Sequence, residues 1–113
     1  MRISTVVLIA FAVVSWGVYF RSNANLTHEE TVILRSAAVN DSMIVWTKFN
    51  GVLVIDIEGT DLVPNQAPTT TNAWMDAINR LEARGYITNE GLKVGCYVLT
   101  DTGKARARKM VVP

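Results

Sequence analysis

Positions 3–20 carry no charge at all and lie between Arg2 and Arg21. Eighteen residues wound as a helix rise roughly 27 Å, close to a hydrocarbon core of about 30 Å. Trp16, Tyr19 and Phe20 gather at the second end of the run, where amphipathic rings favour the headgroup layer. The pattern predicts a transmembrane anchor over residues 1–21, then a linker over 22–26. A secretory signal peptide competes with this reading. It takes Arg2 as its basic start, 6–14 as its apolar stretch and Ser22-Asn23-Ala24 as its cleavage site. The run is longer than such a stretch needs, and bulky side chains crowd the approach to the site, so the anchor is preferred.

Beyond the linker the pattern becomes that of a small folded domain. Thr27-His28-Glu29-Glu30 is a capping box: the Thr27 hydroxyl serves the Glu30 amide, and the Glu30 carboxylate serves the Thr27 amide. Ile33, Leu34, Ala37 and Ala38 then share one helical face, and Asn40-Asp41 ends the segment. Residues 43–49 and 52–57 are rich in β-branched and aromatic side chains. Asn50-Gly51 between them is a two-residue hairpin turn. Val52-Leu53-Val54-Ile55-Asp56-Ile57 is apolar on both faces until Asp56. Such a strand is covered on both sides or packs against something outside the domain, which makes Val52, Val54 and Ile55 candidate partner-binding residues. Residues 58–69 read as a loop.

A second helix begins near Thr70 or Thr71, with Trp74, Ile78 and Leu81 on one face and Gly85 as its left-handed terminator. Residues 86–89 then pair with 94–100 across a turn. Val94, Cys96 and Val98 share one face of that hairpin, Tyr97 and Leu99 the other. On this pattern Cys96 is a small packed residue rather than a nucleophile.

Leu81-Glu82-Ala83-Arg84-Gly85-Tyr86-Ile87, followed by Tyr97-Val98-Leu99-Thr100-Asp101-Thr102-Gly103, resembles the second half of a winged-helix domain. In that family a helix closes on a Leu-x-x-x-Gly-x-Ile phrase. The wing returns with Tyr-x-Leu-Thr, and a glycine opens a further helix. More narrowly, the order of elements resembles a group of poorly characterised bacterial domains that often follow a membrane segment. The resemblance implies a winged-helix-like domain over 27–103 and a basic tail over 104–113. One departure stands out. The supporting helix that a helix-turn-helix reader places before its recognition helix is replaced here by a hairpin and a proline-containing loop.

Charge sharpens that departure. Between positions 22 and 103 there are five basic residues (Arg35, Lys48, Arg80, Arg84, Lys93) against ten acidic ones, a balance of −5. Duplex binding needs several cations on phosphates, so nucleic acid is a poor match for the body of the domain. Lys104, Arg106, Arg108 and Lys109 fall within six residues and are the candidates for contact with anionic lipid or nucleic acid. Cys96 is the only cysteine, which excludes an intrachain disulfide. His28 is the only histidine, and no phosphate-cradling loop or nucleophile elbow occurs. Asp56, Glu58 and Asp61 lack the spacing of a calcium loop. No catalytic residue, metal ligand or cofactor is expected.

The sequence therefore predicts an α+β protein: one N-terminal transmembrane helix and a small winged-helix-like domain of helix, β-hairpin, helix, β-hairpin wing and short C-terminal helix. The expected role is a non-catalytic interaction or adaptor module at the cell membrane, its domain in the cytoplasm. Its expected partners are the lipid bilayer and either a protein or a second copy of itself. A membrane-tethered nucleic-acid-binding regulator is the alternative, and a secreted or envelope domain left by signal-peptide cleavage is a third reading.

Overall fold

The computed structural model describes residues 26–111. Helix α1 (His28–Val39) starts on its capping box: the Thr27 amide donates to Glu30 Oε1 at 2.7 Å, and the Glu30 amide donates to Thr27 Oγ1 at 3.2 Å. Its buried face is Ile33, Leu34 and Ala37, with Glu30 beside them. Strands β1 (Ile44–Phe49) and β2 (Val52–Ile57) pair in antiparallel register from Ile44↔Ile57 to Phe49↔Val52. Asn50 and Gly51 both take positive φ at their turn, 53° and 79°, as a type I′ hairpin requires.

A second tight turn follows at once. Glu58 (φ 54°) and Gly59 (φ 82°) reverse the chain into β3 (Thr60–Asp61), which pairs back onto β2. This short strand lies in the segment expected to be loop. Helix α2 (Pro68–Ala83) begins two residues earlier than the threonines suggested. Proline in its first turn supplies the preset φ and lacks only an amide that would go unpaired there. Trp74, Ala77, Ile78 and Leu81 form its buried face, and Gly85 (φ 79°) ends it. Strand β4 (Ile87–Thr88), strand β5 (Cys96–Leu99) and helix α3 (Asp101–Val111) complete the chain.

The two hairpins do not stay apart. β5 pairs with β1 through Ile44↔Tyr97 and Val45↔Cys96, which merges them into one antiparallel sheet ordered β3-β2-β1-β5-β4. All three helices pack on one side of it. Ile44, Leu53, Ile55, Ile57, Tyr97 and Leu99 point into that core. The expected separate hairpin and wing are thus corrected to a single α+β layer pair, three helices against five strands. The reason is tertiary: β1 has two edges, and its second one accepts the returning β5.

The membrane expectation is corrected as well. The helices hold 12, 16 and 11 residues, and none among the described residues is long and apolar enough to cross a membrane. The run at 3–20, the anchor assigned to 1–21, most of the linker and the alternative cleavage site lie outside the described residues. Single-pass membrane attachment at the cell membrane is therefore not carried forward.

Side chains complete the hydrogen bonding of the β2 edge and of the β4–β5 turn. On the β2 edge, the Gln66 amide takes the place of a neighbouring strand: Leu53 N donates to Gln66 Oε1 at 2.8 Å, and Gln66 Nε2 donates to Leu53 O at 2.9 Å. Further along, Asp61 Oδ1 accepts from Ile55 N, and Leu62 N donates to Ile55 O. On β5, Asn89 Nδ2 donates to the carbonyls of Lys93 and Cys96, both at 2.7 Å. Open edges invite pairing with other chains, and the Gln66 and Asp61 contacts remove that invitation along β2. Gln66→Ala is expected to cost about 1–2 kcal/mol, the usual penalty for stranding part-buried backbone groups, and to raise the aggregation rate. Urea denaturation with parallel light scattering measures both; unchanged values would mean that water replaces the amide without loss.

Candidate interaction surface

Strand alternation decides what the second side of the sheet displays. With Ile44, Leu53, Ile55 and Ile57 turned into the core, Val45, Thr47 and Phe49 of β1 and Val52, Val54 and Asp56 of β2 are turned the other way. Cys96 and Val98 join them from β5, because Tyr97 and Leu99 are buried. No helix among the described residues lies over this open side. Val45, Val54, Cys96 and Val98 are half-buried. Phe49 is 76% exposed and Val52 46%. A phenylalanine held in water at the tip of a well-formed hairpin contributes nothing to this domain's core, and neighbouring valines make it part of a patch.

The predicted partner-binding residues divide accordingly. Val52 and Val54 lie on the open side. Ile55 is fully buried in the core and is unavailable to a partner. Cys96, expected to be a small packed residue, is a half-buried free thiol on the open side. Phe49 was missed, because as the last residue before a turn it reads as strand rather than surface. Its position opposite Val52 in the register is the signal that identifies it.

The basic segment falls in the C-terminal helix that the sequence predicts. It forms α3, whose Ala107 is fully buried and whose Met110 packs against the core. Lys104 Nζ lies 3.6 Å from Asp41 Oδ2, an exposed pair that solvent weakens. Arg106 is engaged within the fold. Arg108 and Lys109 are exposed. The four cations therefore do not form one free patch.

The acids near the β2–β3 turn are structural. Asp61 Oδ1 accepts from both Ile55 N and Val63 N, and Asp56 Oδ2 accepts from Gly59 N. The Glu58 carboxylate accepts from Asn40 Nδ2 at 3.1 Å and from the Ser42 hydroxyl. Each carboxylate is thus spent on holding a turn or on tying the end of α1 to the sheet. Among the described residues no group of three or more His, Cys, Asp or Glu side chains could hold a metal ion.

Two shallow depressions flank the outer side of α1. One, about 290 Å³, is lined by Val32, Arg35, Ser36 and Val39. The other, about 270 Å³, runs from Ser36 and Val39 to Ile57, Glu58 and Leu62. Both fall short of the usual span for small-molecule sites, roughly 300–1,000 Å³. Neither assembles an acid beside a base. No family model matches the chain, and no curated protein or solved structure matches it either.

Proposed function

We propose that this domain is a non-catalytic interaction module whose open sheet face takes up a protein partner. One observation carries the reading: an apolar sheet face over which no helix of the described residues lies, ending in the exposed pair Phe49 and Val52. Burying a phenylalanine and several valines supplies about 1.5–3 kcal/mol for each side chain fully removed from water. An exposed aromatic ring is a common energetic anchor of an interface. The closed β2 edge favours docking on the face there, since strand addition finds no unpaired backbone at Leu53 or Ile55. Nucleic acid is disfavoured as the ligand by the acidic body and by cations scattered around α3.

The test is a photo-crosslinking amino acid placed singly at Thr47 and Phe49 in the full-length chain, in the cell that makes it. His28 and Arg108, both exposed and far from the open side, serve as controls. Adducts of discrete mass are expected from the first two positions and none from the controls. Silence at Thr47 and Phe49, or the same adducts everywhere, would sink the proposal.

A further inference from the structure

We propose that Asn50 is a modification site: the folded Asn50–Gly51 turn closes to a succinimide and reopens as aspartate and isoaspartate. The reaction needs no enzyme and no partner on the open face.

Asparagine is a thermolabile side chain, and the amide that follows it is the group that attacks it. Asn50 is the one asparagine of the chain followed by glycine. It lies exposed at the hairpin tip, and among the described residues nothing hydrogen-bonds its carboxamide. Other asparagines are placed differently. The Asn40 carboxamide donates to Glu58, that of Asn89 donates to the Lys93 and Cys96 carbonyls, and that of Asn65 accepts from the Ala67 amide. Asn72 and Asn79 lie within α2.

Ring closure requires the Gly51 nitrogen to eclipse the Asn50 Cβ and so meet Cγ. For an L-residue this sets ψ of Asn50 near about −120°, the value found at the first central residue of a type II′ turn. Types I′ and II′ are the two turns that suit a two-residue hairpin, and both hold that residue at positive φ. Here Asn50 has φ 53° and Gly51 79°, the I′ form. Flipping the single peptide between them keeps φ of Asn50 and carries its ψ from about +30° to about −120°. Gly51 must then move to negative φ. Glycine does so freely, and nothing lies within 4 Å of where a Cβ on Gly51 would be. The last rung joins Phe49 to Val52, so the Gly51 N–H stays outside the ladder. The flanking strands therefore hold Asn50 at the φ the ring needs, and the glycine supplies the one remaining motion.

Hydroxide removes the Gly51 amide proton, and the nitrogen attacks Asn50 Cγ. The new N–Cγ bond closes the ring, the Cγ–Nδ2 bond breaks, and ammonia leaves with a proton from water. Water then opens the ring. Addition at Cγ breaks the new bond and leaves aspartate. Addition at the main-chain carbonyl carbon breaks the old peptide bond and leaves isoaspartate, with the chain running through the side chain. Isoaspartate adds a backbone carbon to a loop that I′ and II′ geometry fits tightly, which loosens the Phe49↔Val52 rung beneath it.

The test incubates the folded full-length chain at mildly alkaline pH and follows each asparagine by peptide mapping with mass spectrometry. Hydroxylamine traps the ring by cleaving the chain between positions 50 and 51. Aspartate and isoaspartate are expected at position 50 about tenfold or more faster than at Asn72 or Asn79, where the helix and a side chain on the next residue resist the flip. Gly51→Ala should slow conversion by a similar factor, and Asn50→Gln should abolish cleavage by hydroxylamine at that bond. An Asn50 that stays intact in the folded chain would overturn the proposal, and conversion seen only in urea would show that the turn protects it. Conversion at Asn50 no faster than at Asn72 and Asn79 would overturn it as well.

Discussion

Gly103→Ala is expected to destabilise the domain by about 3 kcal/mol, at the upper end of what overpacking costs. For a domain of this size that lowers the thermal midpoint by roughly 12–24 °C. Helix propensity alone argues the reverse, since alanine is favoured over glycine by about 1 kcal/mol within a helix. The difference is contact. A Cβ at position 103 would lie 2.0 Å from the Tyr86 carbonyl oxygen and 2.9 Å from its carbon. Both are backbone atoms, already held: Tyr86 O accepts from Thr100 N at 3.0 Å, and Tyr86 N donates to Leu81 O at 2.9 Å. Thr100 Oγ1 locks the same corner by accepting from Gly103 N and donating to Gly85 O. Neither side can retreat, so α3 must tilt off the core. Differential scanning calorimetry decides it, with Ala105→Gly as the control that changes propensity without the clash. A loss below about 1 kcal/mol for Gly103→Ala would show that α3 is not seated where the structure puts it.

Removing the Arg84 guanidinium is the second large effect. Glu30 is fully buried, and its Oε2 lies 3.2 Å from Arg84 Nη1 while Oε1 caps the helix. The pair ties the first turn of α1 to the end of α2, across 54 residues of sequence. Breaking a buried pair from one side leaves an uncompensated charge and costs about 3–5 kcal/mol. Arg84 keeps 22% of its side chain in solvent, which screens the pair, so about 2–3 kcal/mol is expected for Arg84→Met. Glu30→Gln in the same background should recover part of that loss, because the amide oxygen still caps Thr27 and no charge is stranded. A double-mutant cycle by urea denaturation measures the coupling. Additive losses would mean that the two side chains act independently.

The same two sites mark how far the chain can be read directly. The capping box, the Asn50-Gly51 turn, the Gly85 stop and the buried faces of α1 and α2 were legible, because each depends on residues within about one or two turns of one another. The role of Glu30 was legible only in part. Its cap is local, but its ion pair depends on where α2 ends in space. Gly103 was visible as a motif glycine, while its reason, the carbonyl of Tyr86, belongs to another element. β3 was hidden because two residues are too few to show a period. Gln66 was hidden because an amide standing in for a strand leaves no pattern at all.

Sequence by itself determined the helices, the main strands, the tight turns and the acidic balance of the body, since these follow from local sterics, capping and composition. Only the tertiary structure decided that the two hairpins share one sheet. That choice fixes which strand face is core, and so it buries Ile55 while leaving Val52, Val54 and Phe49 outside. Alternation along β2 was plain from its residues, but both of its faces are apolar. Hydrophobicity could not tell the covered side from the open one. The side on which three helices pack is settled by the long-range pairing of β1 with β5, a contact between segments some fifty residues apart.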